Sequence, residues 1–168
     1  PYPFAMIDFD QENAPLARWA PADVLAGGRT GGRPVRTAAC ILNTDVSSGP
    51  GKHWGCVFID GRPPGTAEAP RTVEYFNSAG NPVPSSVKRW MTQTREGLTR
   101  AAAAAGAPHE VAARELTSVK HQRSDTECGL YALFYIRARL EGRPPATFAA
   151  DRIPDDAMTR FRRHVFRS

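Results

Sequence analysis

An α+β fold, with a small central mixed sheet flanked by helices, is predicted by three features of this sequence. "HWGCVFID", residues 53–60, is an almost unbroken apolar run of strand length, as expected for a strand buried on both faces. "RTVEYFN", 71–77, has strand composition and is joined to it by "GRPPGTAEAP", which can continue neither a helix nor a strand. A long alanine-rich stretch and the apolar "CGLYALFYI" supply helices to cover such a hairpin.

In chain order, residues 1–34 are rich in proline and glycine and read as a loop-rich lead-in with one short helix around Ala20–Ala26. "VRTAACILN", 35–43, is a strand, and "TDVSSGPGK" is a loop delivering the chain to the 53–60 strand. "SAGNPVP" then turns the chain into a helix from Ser85 to Ala105, and residues 110–120 supply a further strand. "SDTE", 124–127, has the capping-box form, with Ser124 as cap and Glu127 reaching back, so that Cys128 falls in the first turn of a buried helix. An amphipathic helix from Asp155 to Phe166 completes the chain. One domain is expected over 1–168, with 35–140 as its functional core and 141–168 as a basic C-terminal helix.

The 168 residues include 41% hydrophobic and 23% charged side chains, the balance of a chain with a real core. No apolar run reaches membrane-spanning length and no signal peptide is visible, so no membrane partner is expected. The first residue is proline, which predicts a fragment, a trimmed chain or a processed product. Three cysteines are too few for a disulfide framework and point to a reducing compartment. The net charge of +5 draws on Arg152, Arg160, Arg162, Arg163 and Arg167; a solvated helix face explains them better than a nucleic-acid module, since no aromatics interleave with them.

The chemistry centres on Cys128. A helix N-terminus favours an anion and so lowers a thiol's pKa. An isolated cysteine would more often be a small core residue, so a base must accompany it. Of four histidines, His109 and His164 read as surface residues, His121 lies near Cys128 outside the helix, and His53 opens the central strand at the rim of the sheet. Pairing Ile59 with Arg71 would place His53 opposite Asn77 on one face, with an asparagine oxygen positioned to accept Nδ1–H and leave Nε2 to the thiol. Gln122 offers side-chain N–H donors for an oxyanion hole. "HWGC" suggests zinc, but His53 and Cys56 are three apart on a strand, point to opposite faces and have no CxxC pair, so neither a metal nor another cofactor is expected. There is no GxSxG elbow and no phosphate-binding glycine loop.

"GKHWGCVFID", "VEYFNSAGNPVP" and "QRSDTECGLYALFYI" resemble, in order and spacing, the cysteine proteases that include SUMO-specific proteases and adenain. Within that family the large-DNA-virus branch is most similar, through "ILNTDVSSGPGKHW" and "YFNS". The resemblance covers about residues 36–140. It implies an adenain-like, papain-like protease fold, with His53 as base, Asn77 as its orienting partner, Cys128 as nucleophile, Gln122 as oxyanion donor and Trp54, packed beside His53, as a substrate-binding residue. Asn77 departs from the Asp of many relatives, and the segment from His53 to Asn77 is long for the family.

The function expected is a cysteine endopeptidase that processes viral structural or core precursors at glycine-containing sites during virion maturation, in the virion or the infected-cell cytoplasm. Its alternative is a SUMO or ubiquitin-like deconjugating protease acting as a pathogen effector. A non-catalytic nucleic-acid-binding protein on a protease scaffold is a third reading, disfavoured because no catalytic residue is missing. The resemblance also implies that DNA could serve as an activator.

Overall fold

The computed structural model describes residues 5–8, 29–30, 33–44, 53–62, 71–106 and 110–166. Its elements are β1 (Ala5–Asp8), β2 (Arg29–Thr30), β3 (Arg33–Pro34), β4 (Thr37–Asn43), β5 (Trp54–Asp60), β6 (Arg71–Phe76), α1 (Ser85–Ala104), β7 (Val111–Leu116), α2 (Cys128–Leu140), α3 (Thr147–Ala150) and α4 (Asp155–Val165). The main sheet has five strands in the order β1-β4-β5-β6-β7. Strands β4, β5 and β6 run antiparallel, whereas β1 pairs parallel with β4 and β7 parallel with β6, so the sheet is mixed as expected. Residues 5–8, read from sequence as part of a lead-in, form an edge strand of this sheet. The helix expected at Ala20–Ala26 lies outside the described residues. Arg29–Thr30 and Arg33–Pro34 pair antiparallel as a separate small ribbon.

Alternation along the strands divides the core between the two faces of the sheet. Val57, Ile59, Val73 and Tyr75 point to one side and meet Val87, Trp90, Met91 and Leu98 of α1. Those α1 residues recur at helical spacing, which makes the helix bury a single stripe. Cys56, Phe58 and Phe76 point to the other side and meet α2, whose Leu130, Tyr131, Tyr135 and Ile136 are buried. Strand β5 is thus covered on both faces, and Val57, Phe58 and Ile59 are fully buried.

Two charged residues lie inside this apolar framework. Glu74 is fully buried on β6 and accepts from Arg139 of α2 through Nε and Nη2, each at 2.8 Å. Tyr135 Oη donates to Glu74 at 2.6 Å and Thr72 Oγ1 at 2.5 Å, while Arg139 also reaches Asp60 at 3.0 Å. Four donors therefore satisfy the carboxylate, as a buried charge requires. The network fastens the C-terminal half of α2 to the sheet.

Candidate functional site: a cysteine–histidine–asparagine cluster at the sheet end

His53 immediately precedes β5, Asn77 immediately follows β6, and Cys128 opens α2. All three meet at one end of the sheet. The observed register pairs Ile59 with Val73 and Asp60 with Thr72, not Ile59 with Arg71. The strands are therefore offset by two residues from the sequence expectation, because the connection between them begins one residue later on each side. An offset of two preserves the face of every side chain. His53 and Asn77 consequently meet as diagonal neighbours rather than directly across, with Nε2–H donating to Asn77 Oδ1 at 2.9 Å.

That bond reverses the expected roles of the two ring nitrogens. Nε2 is held by Asn77, which leaves Nδ1 as the nitrogen for Cys128. The hydrogen bond with Cys128 raises the His53 pKa most strongly; partial burial opposes it, and Asn77 adds to the rise. Burial alone would raise the Cys128 pKa, but hydrogen bonds from His53 and from the backbone N–H groups of Trp54 and Gly129, with attraction to His53, bring it below the ordinary value. The two shifts favour a thiolate–imidazolium pair. Cys56, fully buried, has its pKa pushed well up by desolvation and by the charges of Cys40 and Glu74.

The capping box takes a different form from that expected. Glu127 occupies the N-cap position and makes no side-chain cap bond; Ser124 donates to the Glu127 carboxylate instead. Residues 124–126 bend ahead of the helix, which places Ser124 too early to cap it. Cys128 remains the first helical residue, beside the unpaired amides of the helix start. Trp54 is half-buried and packs against the α2 side of the core, contributing its backbone N–H to the thiol.

Gln122 is buried beside the turn after β6, where its backbone N–H donates to Ser78 O at 2.9 Å. Its side-chain Oε1 accepts from Ser78 Oγ at 2.9 Å, and Nε2 donates to Ser124 O at 2.6 Å. Asn77 is fixed equally closely: Oδ1 also accepts from Ala79 N–H at 2.9 Å, and Nδ2 donates to Tyr75 Oη at 3.0 Å. Gly55 lets the strands approach closely here: a Cβ would lie 3.1 Å from Phe76 O and 3.3 Å from Tyr75 Oη, so a neighbour would have to shift by a few tenths of an ångström to admit one. Sequence reasoning missed Tyr75 and Ser78 as supports of the site. Their signal was present in "YFNS", which places a hydroxyl two residues before Asn77 and another immediately after it.

The remaining histidines divide clearly. His164 is exposed, and His109 lies outside the described residues. His121 is fully buried; Nε2–H donates to Phe148 O at 3.0 Å and Nδ1 accepts from Ile153 N–H at 3.1 Å. Burial, with Arg152 nearby, outweighs the Phe148 bond and lowers its pKa. It is a neutral strut between the segment before α2 and the segments around α3 and α4. Among the arginines, Arg152 binds His121 O and Asp155, and Arg160 pairs with Asp156, while Arg162 and Arg163 are exposed.

Residues 34–168 match the family model described as "Ulp1 protease family, C-terminal catalytic domain". The chain belongs to the Ulp1 protease family. Among curated relatives of this Ulp1-family chain, "Cysteine protease S273R" of African swine fever virus (isolate Tick/Malawi/Lil 20-1/1983) is 42% identical over 172 residues, covering 98% of the chain and 59% of the relative. "SUMO-1 cysteine protease S273R" from isolate Tick/South Africa/Pretoriuskop Pr4/1996 is 41% identical over the same shares. The crystal structure of ASFV pS273R protease superposes with a TM-score of 0.78 at 38% identity, covering 98% of this chain and 58% of that one. The chain thus spans about three fifths of the length of these relatives.

Proposed function

We propose that the chain carries the catalytic machinery of a cysteine endopeptidase. The observation that carries this reading is the hydrogen-bonded series Cys128–His53–Asn77, with the thiol pKa lowered and the imidazole pKa raised. The Cys128 thiolate attacks a peptide carbonyl, and the oxyanion is held by a Gln122 amide N–H and a backbone N–H at the start of α2. The His53 imidazolium then protonates the leaving amine, and water, deprotonated by His53, releases the acyl group from sulfur. Asn77 keeps the ring oriented throughout.

The substrates we assign are viral structural or core precursors cleaved at glycine-containing sites. A second reading, deconjugation of a ubiquitin-like protein, is favoured by the name "SUMO-1 cysteine protease" carried by relatives. Fluorogenic peptides ending in Gly-Gly can be compared with SUMO-1 and ubiquitin bearing the same fluorophore at their C-termini. A kcat/KM for the free peptide comparable with that for the folded modifiers supports precursor processing. A rate at least a hundredfold higher on SUMO-1 supports deconjugation. No cleavage of any probe, or cleavage surviving in Cys128→Ala, overturns the protease reading.

A further inference from the structure

A single turn supports both halves of the site. Asn77–Gly80 is closed by Gly80 N–H donating to Asn77 O at 3.2 Å, and Gly80 adopts φ +75°, which glycine accommodates without strain. The Asn77 side chain leaves this turn toward His53, whereas Ser78 leaves it toward Gln122. Ser78 is 1% exposed, and its hydroxyl donates to Gln122 Oε1, while its carbonyl accepts from Gln122 N–H.

A side-chain amide can turn over, exchanging its oxygen for its nitrogen, and the two ends differ fundamentally in an oxyanion hole. Oxygen would repel the developing negative charge; nitrogen would donate to it. The Ser124 carbonyl can only accept, so its bond to Nε2 fixes which way the amide faces; the Ser78 hydroxyl, which could serve either end, donates to Oε1 and anchors the amide in that orientation. Nε2 carries two hydrogens. Ser124 O takes one, and the other is left for a substrate oxygen.

We infer that Ser78 is a positioning residue for the reaction: its hydroxyl and carbonyl anchor Gln122, whose amide the Ser124 carbonyl orients, so that N–H is held toward the oxyanion, while the same turn sets the place of Asn77. Ser78 acts through Gln122 and touches no substrate. The inference rests on the protease reading above, and its test separates the two. Alkylation of Cys128 by iodoacetamide needs the thiolate but forms no tetrahedral oxyanion, so it reports the Cys128–His53 pair alone. Hydrolysis of a fluorogenic Gly-Gly peptide needs both.

Ser78→Ala should lower kcat by tenfold or more, with KM and the Cys128 alkylation rate within twofold of wild type. Ser78→Cys, which keeps side-chain bulk but offers a weak donor, should fall between the two. Combined with Gln122→Ala, the Ser78→Ala change should cost no more than a further twofold, because the amide it positions is gone. Unaltered kcat in Ser78→Ala overturns the inference, as does a loss that multiplies fully with that of Gln122→Ala. A parallel fall in alkylation rate assigns Ser78 to general support of the site and also overturns it. Failure of the wild-type protein to alkylate at Cys128 or to hydrolyse peptide would instead overturn the protease reading.

Discussion

Replacing Arg139 with methionine removes the only guanidinium that reaches the Glu74 carboxylate among the described residues. Glu74 would keep its two hydroxyl donors, Thr72 at 2.5 Å and Tyr135 at 2.6 Å, and lose two charge-assisted bonds of 2.8 Å at a fully buried position. Breaking a buried ion pair by deleting one partner costs about 3–5 kcal/mol. For a domain of this size, each 1 kcal/mol lowers Tm by about 2–4 °C, so a fall of roughly 6–20 °C follows. Urea unfolding should show the midpoint displaced with m unchanged. Combining Arg139→Met with Glu74→Leu removes both charges, and apolar replacement of a whole pair is often nearly neutral. The double variant should therefore regain at least half the lost stability. The network lies far along α2 from Cys128, so the folded single variant should retain its thiol reactivity. A loss below about 1 kcal/mol in Arg139→Met, or a double variant less stable than the single, would refute the reasoning.

Asn77→Asp should keep substantial peptidase activity, because it preserves acceptors for His53 and Ala79 and the Tyr75 hydroxyl can donate where it now accepts; Asn77→Ala should lose much more, and equal kcat/KM in Asn77→Ala and wild type would remove Asn77 from the mechanism. Gln122→Ala should lower kcat on the order of 10²–10³ with KM little changed, measured on the Gly-Gly peptide, and an effect confined to KM would make Gln122 a binding residue. His121 has a folded pKa below its ordinary value, so the unfolded chain binds its proton first as pH falls, and the stability His121 confers above about pH 6.5 is lost as pH drops toward the folded pKa. Urea midpoints should accordingly show the gap between wild type and His121→Phe narrowing from pH 8 to pH 5.5, and a constant gap would contradict a buried neutral imidazole.

The order His-Trp, then Asn-Ser, then Gln-x5-Cys made the candidate residues legible: His53, Asn77 and Cys128 each lie at the end of an element whose apolar pattern is strong, while Gln122, between β7 and α2, was carried by its spacing to Cys128 in the resemblance. The register was less so. Nothing in "GRPPGTAEAP" fixes where pairing begins, and only the two-residue period of a strand kept His53 and Asn77 on one face despite the shift. The exchange of ring nitrogens was not legible, since strand register places the His53 side chain on a face but does not fix which edge of its ring meets Asn77. Glu74 in "RTVEYF" was visible as a charge within a buried pattern, a signal for a partner, whereas "FYIRARL" holds both the exposed Arg137 and the buried Arg139 and does not by itself say which one pairs. β1 escaped notice because four residues amid prolines and polar residues carry too little periodicity to register.

The central claim is that Cys128 is a thiolate poised by His53, and the rate of iodoacetamide labelling at each cysteine as a function of pH tests it most directly. Peptide mass spectrometry resolves Cys40, Cys56 and Cys128 in one experiment. Cys40 and Cys56 are buried, with the Cys56 pKa pushed up, so Cys128 should label first, with the midpoint of its pH profile below that of an ordinary thiol. In His53→Ala, the midpoint of that profile should move up toward the ordinary thiol value of about 8.5. Faster labelling at Cys40 or Cys56, or a Cys128 midpoint at the ordinary value that is indifferent to His53→Ala, would contradict the account.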